Sequence, residues 1–249
     1  MGKLISELTY HQLQPLLTES SVVVLPIGGA SKEHGDHLPM GTDFFVTDYV
    51  AREVTRRCDV LTLATVPYAY FPAFVEWKGS VNISHDHFTN YVRDILMSFV
   101  RFGVKKFLII DGGVSTHPPL CTMARDLDNE CGAKIAVTDI RGLAKETEDA
   151  VCTQERGGHG DESETSTMLC IREDLVHMEQ AVEEYAPVFP GTVVNGIQKV
   201  SFSSRMSTPH GINGNSTLAT REKGEQILQA MVDSICGFLA EFIPWVPQD

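Results

Sequence analysis

The chain has 249 residues, of which 43% are hydrophobic and 21% charged, and its formal net charge is −13. This composition is sufficient for one full core, so we expect a single domain over residues 1–249. The excess of acidic groups and the absence of a Lys/Arg-rich run argue against nucleic acid and anionic membranes as partners. We expect a cytoplasmic protein, since no segment reads as a signal peptide or membrane span and the six cysteines follow no Cys-x-x-Cys spacing.

The apolar pattern predicts strands and helices that alternate along the chain. Helices are predicted at residues 6–17, 44–56, 87–101, 117–130, 162–171 and 220–242, and strands at 22–27, 60–66, 81–84, 106–110 and 134–138. The strand at 81–84 is short and of antiparallel type. Strand-helix alternation with short connections predicts an α/β fold with a mostly parallel sheet that is covered on both sides.

The loop after the first buried strand concentrates chemical side chains. Residues 25–43 read LPIGGASKEHGDHLPMGTD and carry Lys32, Glu33, His34 and Asp43. Binding sites in α/β proteins form at the ends of strands. Asp43 is expected near the N-terminus of the next helix, with one oxygen free for a metal. We therefore predict a metal site built on His34 and Asp43.

A second loop with the same character lies far along the chain. Residues 157–169 read GGHGDESETSTML, a glycine-rich turn followed by a predicted helix. A solvated helix cap is a sufficient explanation for Glu164, but a weaker one for His159 and Glu162. Because a hydrolytic metal takes three protein ligands and an open position, Glu162 would complete the set begun in the first loop.

Residues 68–77, YAYFPAFVEW, form an aromatic segment between the two loops. Such a cluster is at least as typical of ordinary core as of a binding surface. If it lines the mouth of the sheet, Phe74 and Trp77 would stack on a flat or cyclic ligand. The sequence leaves both interpretations open.

The order of these motifs resembles the creatininase family of amidohydrolases. The motifs are LPxG, EHGxHLPxGTD, HGxExETSxML and a late GxxGNxxxA segment, and the resemblance extends over residues 22–228. It implies a three-layer α/β/α sandwich, a small-molecule substrate and a homo-oligomer, frequently a hexamer. It also implies two divalent metals bridged by one aspartate, which corresponds to Asp43.

The chain departs from the family pattern at two ligand positions. Lys32 stands where the family has a glutamate ligand, and Gly113 stands where it has a histidine ligand. Both positions serve the first metal, whereas His34, Asp43 and Glu162 would hold the second. The resemblance therefore implies one ion per subunit, zinc or manganese. The Lys32 ammonium would stand near the vacated position, unless it points to solvent as most lysines do.

The resemblance also implies catalytic roles. His159 corresponds to the family histidine of acid-base chemistry, and Lys32 would steady a developing oxyanion. Glu33 would act as a general base or as an alternative ligand. The candidate substrate contacts or supporting groups are Phe74, Trp77, His37, Asp111 and His117. For His37, positioning of its own loop is an equal alternative.

These residues predict a metal-dependent hydrolase that uses a metal-activated water to open or cleave a small cyclic polar substrate, a cyclic amide or a related C–N bond. One alternative is a metal-dependent C–C hydrolase or isomerase acting on a keto sugar or an inosose-like carbonyl compound. A second alternative is a non-catalytic descendant that binds a small ligand.

Overall fold

The computed structural model describes residues 1–187 and 208–246. Five parallel strands form the central sheet in the order β1, β3, β2, β4, β5. Their bounds are β1 Lys3–Leu4, β2 Val22–Ile27, β3 Leu61–Thr62, β4 Lys106–Asp111 and β5 Lys134–Val137. A separate antiparallel pair is formed by β6 Glu183–Glu184 and β7 Gly214–Asn215.

Helices cover both faces of the sheet. They are α1 Tyr10–Leu13, α2 Thr42–Arg57, α3 His85–Val100, α4 His117–Cys131, α5 Lys145–Val151, α6 Glu162–Arg172 and α7 Arg221–Phe242. Successive residues of β2 point to opposite faces. Val23 and Leu25 pack in the core that contains α3 and α4, while Val22 and Val24 pack in the core that contains α2 and α7. The predicted three-layer α/β/α sandwich is thereby confirmed.

The two longest strands place two loops side by side. β2 and β4 are paired from Val22 with Lys106 to Ile27 with Asp111, and every residue of both strands is buried. Because the strands are parallel and in full register, the loops that follow Ile27 and Asp111 leave the same edge of the sheet.

Short-range signals explain several helix ends. The Asp161 side chain accepts the N–H groups of Ser163 and Glu164 and so caps α6, and the Thr220 hydroxyl accepts the N–H of Lys223 and caps α7. Helices α6 and α7 pack closely because Gly224 has no side chain. A Cβ atom at Gly224 would overlap the backbone carbonyl of α6.

Several segments differ from the sequence prediction, among them the two-residue strands β1, β6 and β7, which the apolar pattern did not predict. Residues 81–84 form no strand, because the N–H groups of Val81 and Ile83 bond to loop carbonyls instead. The strand predicted at 60–66 is shortened to β3. The helix predicted at 6–17 is divided into α1 and flanking 3₁₀ turns, with Pro15 in the second turn. Helix α5 was not predicted, since KETEDAV has no apolar periodicity. None of the described helices is long and apolar enough to cross a membrane.

Candidate active site

The loop after β2 and the segment before α6 meet above the carboxyl edge of the sheet. His34 lies in the first region, Asp43 in the first turn of α2 that follows it, and His159 in the second region. The rings of His34 and His159 lie 4.7 Å apart, and all three residues are buried. The structure thus brings together residues separated by more than a hundred positions in the sequence.

Lys32 is buried against Asp43. Its Nζ atom lies 2.6 Å from Asp43 Oδ2, and only 8% of the lysine side chain is exposed. The ammonium also lies 5.1 Å and 4.9 Å from the ring centroids of Phe71 and Phe74. Burial opposes ionisation of Asp43, but the charges of Lys32 and His34 hold the pKa of this carboxyl well below its usual range. The solvent-facing alternative for Lys32 is therefore wrong.

The contacts of His34 fix which ring nitrogen faces Asp43. His34 Nδ1 lies 2.9 Å from the carbonyl oxygen of Lys32, so this nitrogen carries a proton and donates it. Nε2 faces Asp43 Oδ1 at 2.8 Å, and in the protonated ring it donates its N–H to that oxygen. When the Nε2 proton is lost, two acceptor atoms face each other, and a metal ion bound between them would replace the proton. Around a tetrahedral ion with ligands at about 2.1 Å the two atoms would lie about 3.4 Å apart, so metal binding would require a small outward movement.

His159 is held between aromatic and acidic groups. Its Nε2 atom lies 3.2 Å from Glu33 Oε2, and its Nδ1 atom lies 3.9 Å from Glu164 Oε2. The ring also packs 4.6 Å from the Phe74 ring. Burial lowers the pKa of His159, against the opposing effect of its hydrogen bond to Glu33. A neutral ring that donates Nε2–H to Glu33 presents its Nδ1 lone pair to the site.

The structure does not bring Glu162 to the predicted ligands. The Glu162 carboxylate is fully buried, accepts the N–H groups of Thr153 and Gln154 at 2.8 Å each, and forms an ion pair with Lys223. Residues two apart on a helix differ by about 200° in direction, so Glu162 and Glu164 point to opposite sides.

Glu164, rather than Glu162, lies close to His34 and His159. One ligand atom each from His34, His159 and Glu164 lie within 4.8 Å of one another. The Glu164 carboxylate also accepts the N–H of Gly160 at 2.6 Å. The sequence signal was ambiguous, because both glutamates belong to the same HGDESETS motif.

His37 positions the loop and lies outside this group of side chains. Its ring is completely buried, and Nε2 lies 2.8 Å from the Thr165 hydroxyl on α6. Burial lowers the pKa of His37 to about 4, so the ring is neutral at pH 7. Of the two roles left open by the sequence, the contacts of His37 correspond to loop positioning.

Buried Asp111 and half-buried His117 lie together beneath the loop after β4. Asp111 Oδ1 accepts the Gly113 N–H at 3.2 Å and the Thr116 hydroxyl at 2.5 Å. Asp111 Oδ2 has no hydrogen-bond partner within the described ranges, and His117 Nδ1, 3.7 Å away, bonds instead to the Thr138 carbonyl oxygen. Burial raises the pKa of Asp111 to about 7. These contacts hold the loop together.

The position of Gly113 has no room for a side chain. A Cβ atom there would lie 2.6 Å from Thr116 Oγ1 and 2.9 Å from Phe71 Cε1. The space toward which a ligand at this position would point is therefore filled by Phe71, whose ring also contacts Lys32. Phe74 contacts the site as described above. Trp77 is half-buried one turn later and remains a predicted substrate contact.

A cleft of about 700 Å³ borders the site. Asp43, Glu164 and residues of α5 all line this cleft. Its apolar lining includes Val46, Val114, Ile140, Ile227 and Met231. A small molecule in the cleft would reach the two carboxylates directly.

The family model for creatininase, described as creatinine amidohydrolase, matches residues 6–239. The chain belongs to the creatininase family. The resemblance carried by its loop motifs is thereby confirmed, and the family is one of hydrolases acting on C–N bonds.

Two relatives of this creatininase-family protein match it at low identity. It is 24% identical to 3-dehydro-scyllo-inosose hydrolase from Thermotoga maritima, over 93% of this chain and 81% of that protein. It is also 24% identical to creatinine amidohydrolase from Pseudomonas putida, over 96% and 97% of the two chains.

Solved structures show the same fold. A crystal structure of creatininase superposes with a TM-score of 0.85 at 23% identity and 98% coverage of both chains. Other solved creatininases of this fold are described as manganese and zinc–zinc forms.

Proposed function

We propose that the protein is a metal-dependent hydrolase that opens or cleaves a small cyclic polar substrate at a cyclic amide or related C–N bond. The observation that carries this proposal is that His34 joins two groups of ligand atoms: its Nε2 atom lies 2.8 Å from Asp43 Oδ1, and one of its ring nitrogens lies within 4.8 Å of ligand atoms of His159 and Glu164. Asp43 is not a member of the second group, but Asp43 and Glu164 both line a cleft of about 700 Å³. The hydrolase names of the relatives support the reaction class.

The residues proposed to hold the ion are His34, Asp43 and Glu164. One imidazole nitrogen and two carboxylates form a donor set suited to zinc or manganese. A divalent ion bound there supplies Lewis acidity and lowers the pKa of a bound water toward neutrality.

We propose a single ion per subunit. Lys32 already neutralises Asp43 Oδ2, and Phe71 fills the space next to Gly113. A second ion in this part of the site would have to displace the ammonium and would lack two of the family ligands.

His159 is the proposed proton carrier. Its Nδ1 lone pair takes a proton from water and returns it to the leaving nitrogen, while the Nε2–H bond to Glu33 fixes the tautomer. Glu33 therefore acts through His159, as a positioning residue. The Lys32 ammonium faces the same site and would stabilise negative charge on the substrate oxygen.

Metal analysis of matched variants tests the ligand assignment. We expect close to one zinc or manganese per chain in the wild type, and loss of the ion in His34→Ala and Glu164→Gln. Glu162→Gln is the matched control on the same helix, and it should retain the ion. Two ions at full occupancy, or a Glu162→Gln variant that loses the ion while Glu164→Gln keeps it, would refute the proposed site.

A His159→Gln variant separates two roles for this residue. As a proton carrier it should lose hydrolysis and keep the ion. Loss of the ion would make His159 a ligand, a role that its position within 4.8 Å of His34 and Glu164 also permits.

A keto sugar or an inosose-like compound is the second candidate substrate, favoured by the hydrolase relative that carries inosose in its name. In this case the reaction is C–C hydrolysis or isomerisation at a carbonyl group. Parallel assays with lactams and with inososes or ketoses separate the two reactions.

A third candidate is a non-catalytic protein that binds a small ligand. The observation in its favour is that Lys32 compensates Asp43 through an ion pair that needs no metal. A chain that is purified without metal and stays inert after zinc or manganese is added would support this candidate.

The proposal includes a cytoplasmic homo-oligomer, a hexamer on the family pattern. Light scattering coupled to gel filtration measures the molar mass, for which the chain contributes 27.5 kDa. A single species of one chain would refute the oligomer.

A further inference from the structure

The cleft beside the candidate metal centre has a wall that the proposed mechanism leaves unused. Helix α5 contributes Lys145, Glu148 and Asp149 to the lining of this cleft, which Asp43 and Glu164 also line. A substrate that reacts near Asp43 and Glu164 and fills the rest of the cleft would therefore contact the charged groups of α5.

Most charged side chains of the cleft already have partners. Arg141 pairs with Asp139, Lys145 with Asp149, Arg156 with Glu155, and Asp43 with Lys32, while Asp161 and Glu164 accept backbone N–H groups. Among the charged cleft residues that the structure describes, Glu148 is the exception. Its carboxylate has neither a hydrogen bond nor an ion pair within residues 1–187 and 208–246.

The surroundings of Glu148 disfavour an isolated negative charge. The residue is half-buried, and burial together with the nearby charges of Asp161 and Glu164 raises its pKa to about 7. An unpaired carboxylate in such a place loses hydration without gaining a partner. A cation bound next to it would restore that balance and would favour the ionised form.

We propose that Glu148 determines specificity in this cleft by binding a cationic nitrogen group of the substrate, an ammonium or an amidinium. This inference rests on the proposed function, because it takes the reacting end of the substrate to lie near Asp43 and Glu164. The part of the substrate that contacts Glu148 is then the cationic group, away from the scissile bond. The excess of acidic groups in the chain, with a net charge of −13, also favours the approach of a cation.

Benzamidine and benzamide are suitable probes. Benzamidinium is a planar cation whose paired N–H groups match a carboxylate, and benzamide has nearly the same shape without the charge. Titration calorimetry on the purified full-length chain should show benzamidinium bound about tenfold more tightly than benzamide, as expected for one charge-assisted contact.

Glu148→Gln keeps the size of the side chain and removes its charge, and it should reduce this preference to about twofold or less. Glu155→Gln is the matched control, because it removes one negative charge from the same cleft at a residue paired with Arg156. This control should keep the tenfold preference. Equal binding of benzamidinium by the wild type and Glu148→Gln, or no preference in the wild type, would overturn the proposal.

The result can be separated from the fate of the proposed function. Each titration is run on the protein as purified and after saturation with zinc, and the metal content is measured on the same sample. A Glu148-dependent preference in a protein that binds no metal would support the cation subsite and reject the metalloenzyme. Normal metal content without a preference for benzamidinium would support the metalloenzyme and reject the cation subsite.

Discussion

Replacement of Asp111 by asparagine should make the protein more stable at alkaline pH. Asp111 is 1% exposed, and its Oδ2 atom has no hydrogen-bond partner among the described residues. Asparagine has nearly the same shape, and its carbonyl oxygen can still accept the bonds from Gly113 and Thr116. The variant therefore removes a buried charge while the loop keeps its hydrogen bonds.

The size and sign of this effect follow from the pKa. Burial raises the pKa of Asp111 from 3.8 to about 7, and each unit corresponds to about 1.4 kcal/mol, so the full effect is at most about 4 kcal/mol. Because the folded-state pKa is the higher one, the folded protein retains the Asp111 proton more strongly than the unfolded chain does. The associated stability is fully present below pH 4 and is lost as the pH rises to 7.

Urea unfolding at pH 5, 6, 7 and 8 measures this difference. The free energy of unfolding of Asp111→Asn should exceed that of the wild type increasingly with pH, by about 2–3 kcal/mol more at pH 8 than at pH 5. Asp126→Asn, which changes an exposed carboxylate on α4, is the control and should show no such trend. A constant difference between Asp111→Asn and the wild type across this range would refute the reasoning.

Two further substitutions test the packing around the proposed centre. Lys32→Met should lower the free energy of unfolding of the metal-free protein by about 3–5 kcal/mol, because Asp43 would lose the ammonium from a buried pair; a loss below about 1 kcal/mol in urea unfolding would contradict this. Gly113→Ala should cost about 1–3 kcal/mol through overlap with Phe71 and Thr116, and unchanged urea unfolding would show that the ring moves aside.

The sheet was predictable because its signals are local. VVVLPI and KFLIID are apolar runs of strand length followed by loops, and both strands form at the predicted positions with one residue added to β4. The two-residue strands β1, β6 and β7 and helix α5 were not predictable in this way. KETEDAV carries no apolar stripe, and Lys3–Leu4 is too short to show a period.

The residue types of the site were predictable from the sequence, but the directions in which some of the side chains point were not. His34, Asp43 and His159 come together as the motifs predicted. The burial of Lys32 runs against the usual preference of lysine and depends on two aromatic rings from another loop. The placement of Glu162 depends on Lys223, which follows it by 61 residues in the chain and gives no signal near the motif.

The Lys32 ammonium, buried against Asp43, is a positive charge that a chelator cannot remove. A bound ion can be extracted from a site, but Lys32 is part of the chain, so the positive charge at Asp43 Oδ2 does not depend on the supply of metal. The loop of residues 28–41 should therefore keep its conformation when metal is scarce. If the proposed ion is bound, a chelator would remove it without unfolding the loop, and the chain would bind the ion again without refolding.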